Sequence, residues 1–344
     1  MNKFYYKFNL SWFNTTVIFP ILIFSTLLSI SVESWFLAWL GLEINLICFI
    51  SLISDFPSNT ETNIKYFIVQ SFSSSLFLFS STILLVNKLN FFVMLLNFSL
   101  LIKLGMVPFH FWYPLIMGKL KWSHCMILST WQKISPLILI SYFNIFELII
   151  FIIILSSLAS SIMGMNQTSL KKLMAFSSIS HFSWILTNML LNETNMYFYT
   201  MIYFSLTISV MNSFLNMNLS MINQTSSFLV NKSFTFNLLF SMMILSLGGM
   251  PPLMGFMPKL TTIMVLINHN YKLLIIILCL SSLLNLFFYM RIIYSMIIFF
   301  HSNSKISPYL NVISPSPSMN LMSIIPIMLL NFILIPLISY IHLY

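Results

Sequence analysis

The sequence predicts an all-α polytopic membrane protein that forms a single membrane domain over residues 1–344. Hydrophobic residues make up 59% of the chain and charged residues only 6%, a balance that is foreign to soluble globular proteins of this length. Apolar stretches close to the ~20 residues that cross a bilayer as a helix recur along the chain. No polar block is large enough to fold as a separate soluble domain.

Eleven apolar stretches account for the predicted transmembrane helices. The first five cover residues 15–32, 35–54, 64–86, 91–117 and 122–145. The others cover residues 147–163, 172–191, 196–219, the long interrupted 234–267, 273–300 and 321–343. Three prolines lie between the last two stretches, so residues 301–344 are predicted to form a loop followed by a C-terminal helix.

Two clusters of glycine and proline predict broken helices within the fourth and ninth stretches. Residues 105–108 (GMVP) align with residues 249–252 (GMPP), and both residue types interrupt helices in membranes. Five spans separate the clusters, so the two units would cross the membrane in opposite directions, as inverted repeats of transporters do. We expect repeat units over 15–145 and 147–300. A match of four residues can also arise by chance. The presence of a lysine near each cluster, Lys103 and Lys259, favours a repeat.

The distribution of lysines predicts the orientation of the chain. The net charge is +9, but the basic residues are dispersed, so the sequence predicts no nucleic-acid surface. Threading eleven spans leaves only Lys88 and Lys272 on one side. The lysines on or near the other side are Lys3, Lys7, Lys65, Lys119, Lys121, Lys171, Lys172, Lys232 and Lys305. The positive-inside rule therefore places the N-terminus on the side of synthesis and the C-terminus opposite.

Four ionisable residues lie inside apolar stretches, where each costs roughly 2.5 to 3.5 kcal/mol on insertion scales. They are Lys103, Lys133, Lys259 and Glu43. Burial opposes a charged ammonium and a nearby carboxylate favours it, so such a group can load and release a proton. Glu43 is the natural carboxylate partner, being the acidic residue deep in an apolar stretch. Lysines that extend to the headgroups, and a purely structural ion pair with Glu43, are the alternative interpretations.

The histidines and cysteines indicate no cofactor or metal in this chain. His110 and His124 have a spacing close to that of haem ligands, but Pro114 and Gly118 lie between them, so the pair cannot share one membrane helix. The three cysteines are isolated, and no nucleotide-binding motif occurs. His110 and His181 lie in or next to apolar stretches, where they are candidates to extend a proton wire. Packing histidines are an equal alternative.

The composition and the N-terminal residues favour synthesis in the compartment where the protein is used. The sequence begins without a signal-peptide cleavage site or an arginine-rich transit pattern. It contains 35 phenylalanines, 25 methionines and one arginine. This bias is expected of an AT-rich gene and is compatible with an organelle genome.

Five motifs resemble subunit 2 of mitochondrial NADH:ubiquinone oxidoreductase, an antiporter-like subunit of respiratory complex I. The motifs are WLGLEINL (39–46), KLGMVPFHFWYP (103–114), STWQKISP (129–136), NQTSLKKLMAFSSISH (166–181) and SLGGMPPLMGFMPK (246–259). The resemblance covers roughly residues 30–300, in order. It implies a proton-translocating subunit of the mitochondrial inner membrane, with its N-terminus in the matrix and its C-terminus toward the intermembrane space.

The resemblance also implies roles for individual residues and partners for the chain. Glu43 would modulate the first half-channel, Lys103 would be the lysine of its broken helix, Lys133 would link the half-channels, and Lys259 would belong to the second broken helix. Neighbouring membrane subunits would continue a row of buried polar groups through the bilayer. FMN, iron–sulfur clusters and ubiquinone would be bound by other subunits of the complex and none by this chain.

Two other functions are compatible with the residues alone. A free-standing cation/proton antiporter would be expected to carry a cation site rich in buried acidic residues, whereas this chain offers Glu43. A passive scaffold for other membrane subunits would tolerate loss of the buried lysines.

Overall fold

The computed structural model describes residues 14–54, 60–86, 90–229, 234–251 and 253–303. Within these ranges the protein is helical and contains no β-strand, which confirms the predicted all-α class. An isolated bridge joins Ser169 and Met221. The loop and C-terminal helix predicted for residues 301–344 lie almost entirely outside the described residues, and Pro252 of the second predicted break also lies outside them.

The described chain divides between Ile152 and Ile153 into two compact units. The helices that lie wholly in the first unit are α1 (Phe19–Ser31), α2 (Trp35–Ile53), α3 (Thr60–Val86), α4 (Asn90–Leu104), α5 (Trp112–Lys119), α6 (Trp122–Ser129) and α7 (Ile134–Ser141). The division falls within α8 (Phe146–Met165). The single domain and the repeat units 15–145 and 147–300 remain predictions.

The described part of the second unit contains six α-helices after α8. They are α9 (Leu170–Leu191), α10 (Glu193–Asn216), α11 (Ile222–Leu229), α12 (Phe234–Gly248), α13 (Met257–Asn268) and α14 (Lys272–Asn303). The sequence did not predict α11, whose eight residues are too few to cross a bilayer and are largely polar.

Among the described residues, five helices are long and apolar enough to cross a membrane. They comprise residues Trp35–Ile53, Thr60–Val86, Phe146–Met165, Glu193–Asn216 and Lys272–Ser295. Shorter apolar helices cover Thr16–Ser31, Asn90–Leu104, Asn237–Gly248 and Met254–Asn268. The multi-pass membrane class is confirmed, while the number of eleven spans stays a prediction.

Helix α9 is the central helix of the second unit. Every residue from Leu173 to Met189 is buried, including His181 and Asn188. Because protein surrounds this helix, it tolerates serine, threonine, histidine and asparagine side chains that lipid would not. His181 therefore lies in the interior of the unit.

Arg291 fixes the segment that leads from α8 into α9. Its guanidinium, on α14, donates to the carbonyl oxygens of Met165 at 2.7 Å and of Gln167 at 2.5 Å. A few residues further on, the bridge between Ser169 and Met221 ties the same segment to the start of α11. Main-chain carbonyls at and just after the C-terminal end of α8 thus accept hydrogen bonds from a positively charged side chain, as is common at the C-terminal end of a helix.

Candidate functional site: buried lysines at interrupted helices

The first helix break follows α4, where the sequence predicts it. Gly105 has a left-handed φ of +71°, and the amide of Met106 donates to the carbonyl of Leu101 at 3.1 Å, the pattern of a Schellman helix end. The carbonyl of Ile102 accepts from the amide of Gly105 and from Trp112 Nε1, the latter at 3.2 Å. At the broken end of α4, the carbonyls of Leu101 and Ile102 thus accept hydrogen bonds from uncharged donors.

Lys103 and Lys133 line one cavity in the first unit. The cavity measures about 20 Å³, which gives room for a water molecule. Polar side chains supply much of the remaining lining. They are Asn45, Tyr66, Gln70, Tyr113, Gln132 and Ser135. The sequence predicted the two lysines but none of these six residues.

The ammonium group of Lys103 faces the cavity without a direct ionic partner. Its side chain is 7% exposed, and no ion pair or hydrogen bond joins it to another residue of the described chain. The charge of Glu43 acts on Lys103, but Glu43 is only half-buried and does not line the cavity. Glu43, the predicted partner of Lys103, therefore acts on it from outside the cavity and not through a contact ion pair.

Lys133 lies at a third interruption, which the sequence analysis missed. The span predicted as continuous over 122–145 is divided into α6 and α7 by a 3₁₀ turn at Trp131–Lys133. Pro136 provides the cause, because it has no N–H to offer and its ring clashes with the carbonyl four residues earlier, that of Gln132. Lys133 Nζ lies 4.3 Å from the centroid of the Tyr113 ring, a cation–π arrangement.

An amide pair joins the turn at Lys133 to helix α2. Gln132 Nε2 donates to Asn45 Oδ1 at 2.8 Å, and Asn45 is 3% exposed. Asn45 lies two residues after Glu43, which turns it about 200° around the helix from that residue. The cavity is thus lined by the amide of α2 and not by its carboxylate.

The second helix break repeats the main-chain pattern of the first. Gly249, directly after α12, has a φ of +78°. The amide of Met250 donates to the carbonyl of Leu245 at 3.2 Å, and the amide of Gly249 donates to the carbonyl of Ser246 at 3.1 Å. The predicted correspondence of the two glycines is therefore seen in their local conformation.

Lys259 reaches back to the broken end of α12. Its Nζ donates to the carbonyl oxygen of Gly248 at 2.9 Å, and its side chain is 6% exposed. A Cβ atom on Gly249 would lie 2.6 Å from Lys259 Nζ. Glycine at position 249 therefore permits both the left-handed turn and the position of the ammonium group.

His181 lies beside the same helix end. Its Nδ1 lies 3.0 Å from the hydroxyl oxygen of Tyr199, and the main chain of Leu247 lies near the ring. The charge of Lys259 acts on His181. The last carbonyl of α12, that of Gly248, is met by Lys259.

The remaining candidate, His110, is not part of either group. It is buried in the turn between α4 and α5, and its ring stacks on that of Phe111 with 4.3 Å between centroids. His110 is not among the residues that line the cavity of Lys103. No three His, Cys, Asp or Glu side chains come together as metal ligands in the part of the chain that the structure describes.

The fold and these sites define a polytopic membrane protein with charged groups buried at interrupted helices, an arrangement typical of transporters. The family model described as "NADH:quinone oxidoreductase/Mrp antiporter, TM" matches residues 32–90 and 83–285. The chain therefore belongs to the NADH:quinone oxidoreductase/Mrp antiporter family of membrane proteins.

Two curated relatives match over most of their length. The chain is 42% identical over 285 residues to NADH-ubiquinone oxidoreductase chain 2 of Anopheles gambiae, covering 80% of this chain and 83% of that protein. It is 35% identical over 333 residues to NADH-ubiquinone oxidoreductase chain 2 of Lumbricus terrestris, covering 92% and 95%.

Solved structures share the fold at low sequence identity. A chain of respiratory complex I from Thermus thermophilus superposes with a TM-score of 0.81 at 18% identity, covering 95% of this chain and 79% of that chain. A chain of the Mrp complex from Dietzia sp. gives a TM-score of 0.74 at 15% identity, covering 81% and 60%.

Replacing Gly249 with alanine is expected to destabilise the protein by about 1–3 kcal/mol, because the left-handed conformation is strained for alanine and the added Cβ would meet Lys259. Gly248→Ala is the matched control, since a Cβ there meets nothing closer than 3.5 Å. Thermal unfolding of the purified variants in detergent measures the difference. Equal unfolding midpoints for the two variants would contradict this account of Gly249.

Because the side chains of Asn45 and Gln132 bond to each other, we expect the stability losses from replacing them to be non-additive. Asn45→Leu or Gln132→Leu alone leaves one amide without its partner, a loss of about 1–3 kcal/mol. Replacing both removes the unmatched group, so the double variant should be more stable than the sum of the single losses predicts. Unfolding midpoints of the three variants test this coupling. Strictly additive losses would show that the two amides do not stabilise each other.

Proposed function

We propose that this chain is the proton-translocating, antiporter-like membrane subunit of an NADH:ubiquinone oxidoreductase in the mitochondrial inner membrane. The observation that carries the proposal is that each of the three buried lysines lies at a helix interruption. Lys103 and Lys259 form no contact ion pair within the described residues. A lysine held in this way can gain and lose a proton without breaking a bond to a carboxylate.

In the first unit, Lys103 and Lys133 are the proposed proton-carrying groups. They share a cavity with room for water and with amide side chains that can hydrogen-bond to it. Lys103 loads the proton and Lys133 hands it on toward the second half-channel. Glu43 modulates this step through its charge, which acts on Lys103 without a direct contact.

In the second unit, Lys259 and His181 are the proposed proton-carrying groups. Lys259 donates to the carbonyl of Gly248 at the C-terminal end of α12, and its charge acts on His181. Two positive charges so placed repel each other, so a proton on one group opposes a proton on the other. His110 is proposed as an extension of the path in the first unit.

Other subunits complete the proposed function. Electron transfer from NADH to ubiquinone, with FMN and iron–sulfur clusters, takes place in those subunits, and this chain binds no redox cofactor. Neighbouring antiporter-like membrane subunits and the lipid bilayer are its partners. The energy of quinone reduction reaches the buried lysines through contacts with those neighbours.

The family model, whose description includes Mrp antiporters, supports a second candidate, a cation/proton antiporter that works without the oxidoreductase. The two functions differ in what the chain does alone. An antiporter exchanges cations for protons in vesicles that contain only this chain, whereas a subunit of the oxidoreductase moves protons only in the assembled complex. Ion exchange by the purified chain would therefore favour the antiporter.

Lys103→Met is expected to reduce proton pumping and coupled NADH:quinone turnover by about tenfold or more in the assembled complex, because a thioether cannot load a proton. Lys103→Arg should be nearly as inactive, since guanidinium keeps its proton. Pumping and the level of assembled complex are measured side by side for both variants.

Lys272→Met is the control for Lys103→Met, because Lys272 is exposed at the start of α14 and its loss should leave pumping unchanged. A structural ion pair of Lys103 with Glu43 predicts the opposite ranking, in which arginine restores assembly and methionine destabilises. Normal pumping by fully assembled Lys103→Met would end the assignment of Lys103 as a proton carrier.

The lysine asymmetry predicts an N-terminus in the matrix and a C-terminus in the intermembrane space. Tags at the two ends should respond oppositely to protease in mitoplasts and in inverted inner-membrane vesicles. The C-terminal tag is expected to be cleaved in mitoplasts and the N-terminal tag in inverted vesicles. Cleavage of both tags from one side would contradict both the orientation and the odd number of spans.

A further inference from the structure

Tyr199 on α10 forms a buried hydrogen bond with the ring of His181. The hydroxyl oxygen of Tyr199 lies 3.0 Å from His181 Nδ1. Tyr199 is 1% exposed and His181 is 7% exposed, so solvent offers little competition for this bond. A hydrogen bond in such a low-dielectric interior holds a side chain strongly in one orientation.

Lys259 lies near the same histidine, and its charge acts on His181. Lys259 is itself held at the broken end of α12, where its Nζ donates to the carbonyl of Gly248 at 2.9 Å. A hydroxyl can both donate and accept a hydrogen bond. The Tyr199 hydroxyl can therefore stay bonded to His181 Nδ1 whether or not that nitrogen carries a proton.

We propose that Tyr199 is a positioning residue, whose hydroxyl is bonded to His181 Nδ1 and thereby holds the imidazole in one orientation while its protonation changes. The proposal rests on the proposed function, in which His181 and Lys259 carry protons in the second unit. Without this hydroxyl the imidazole loses the hydrogen bond that fixes its orientation. The role of Tyr199 is thus exerted through His181.

The chain offers a matched control in Tyr203, one turn further along α10. Its ring packs against His181 with 5.0 Å between centroids, and it is 2% exposed. The hydroxyl of Tyr203 does not bond to His181 in the structure. Tyr203→Phe therefore removes a buried hydroxyl beside the same histidine while keeping the bond that Tyr199 makes.

A double-mutant cycle on the assembled complex tests the proposal. Tyr199→Phe, His181→Gln, their combination and Tyr203→Phe are compared for protons pumped per NADH oxidised and for the amount of assembled complex. Tyr199→Phe is expected to assemble normally and to pump about fivefold less, the effect of one hydrogen bond on a rate. Tyr203→Phe should pump normally. In the His181→Gln background, Tyr199→Phe should cause no further loss, because its effect passes through His181.

Three results would overturn the proposal. The first is normal pumping by the assembled Tyr199→Phe variant. The second is an equal fold-loss of pumping from Tyr199→Phe with and without His181, and the third is failure of Tyr199→Phe alone to assemble. The second and third results would assign Tyr199 to packing. Lys259→Met separates this proposal from the proposed function. If Lys259→Met abolishes pumping while Tyr199→Phe pumps normally, only the role of Tyr199 fails. Normal pumping by Lys259→Met or His181→Gln removes the proton path of the second unit, and the role of Tyr199 with it.

Discussion

Every main-chain carbonyl freed by a helix break within the membrane needs a donor from the protein, because lipid offers none. Where α12 ends, four carbonyls are freed, and the amide groups that follow reach only the first two. The last one, of Gly248, is met by Lys259. The position of Lys259 in the second unit follows from this requirement, so the break and this part of the candidate site are one structural feature.

The same main-chain turn ends α4, but a different side chain completes it. There the indole of Trp112 donates to the carbonyl of Ile102, the third-last residue of α4, whereas Lys259 meets the last carbonyl of α12. The difference follows from the order of residues along the chain. Lys103 precedes its glycine and lies on the helix that ends, whereas Lys259 follows its glycine and can reach back. Lys103 instead lines a cavity.

The sequence located the helix breaks better than it located the inward faces of the helices. Glycine and proline interrupt helices wherever they occur, so the breaks after Gly105 and Gly249 could be predicted, and Pro136 contained the same signal for the third. Faces are harder to predict, because a helix that is apolar all round does not reveal which side protein will cover. For this reason Glu43 was predicted as the carboxylate partner of the buried lysines, whereas Asn45, on another face of α2, lines the cavity of Lys103 and Lys133. The bond between His181 and Tyr199 joins two helices, and spacing along the chain could not predict it.

The groups around Lys103 and Lys259 stabilise a cation less strongly than a contact carboxylate would. Lys103 has a polar cavity and the distant charge of Glu43, and Lys259 has a main-chain carbonyl at a helix end. A contact carboxylate would leave an unpaired buried charge each time the proton left, which costs several kcal/mol. Main-chain dipoles and amide side chains carry no such penalty, because they are neutral and remain so when the lysine is neutral. Their use in place of contact carboxylates brings the two protonation states of Lys103 and Lys259 closer in energy, which is the property that the proposed role of proton carrier requires.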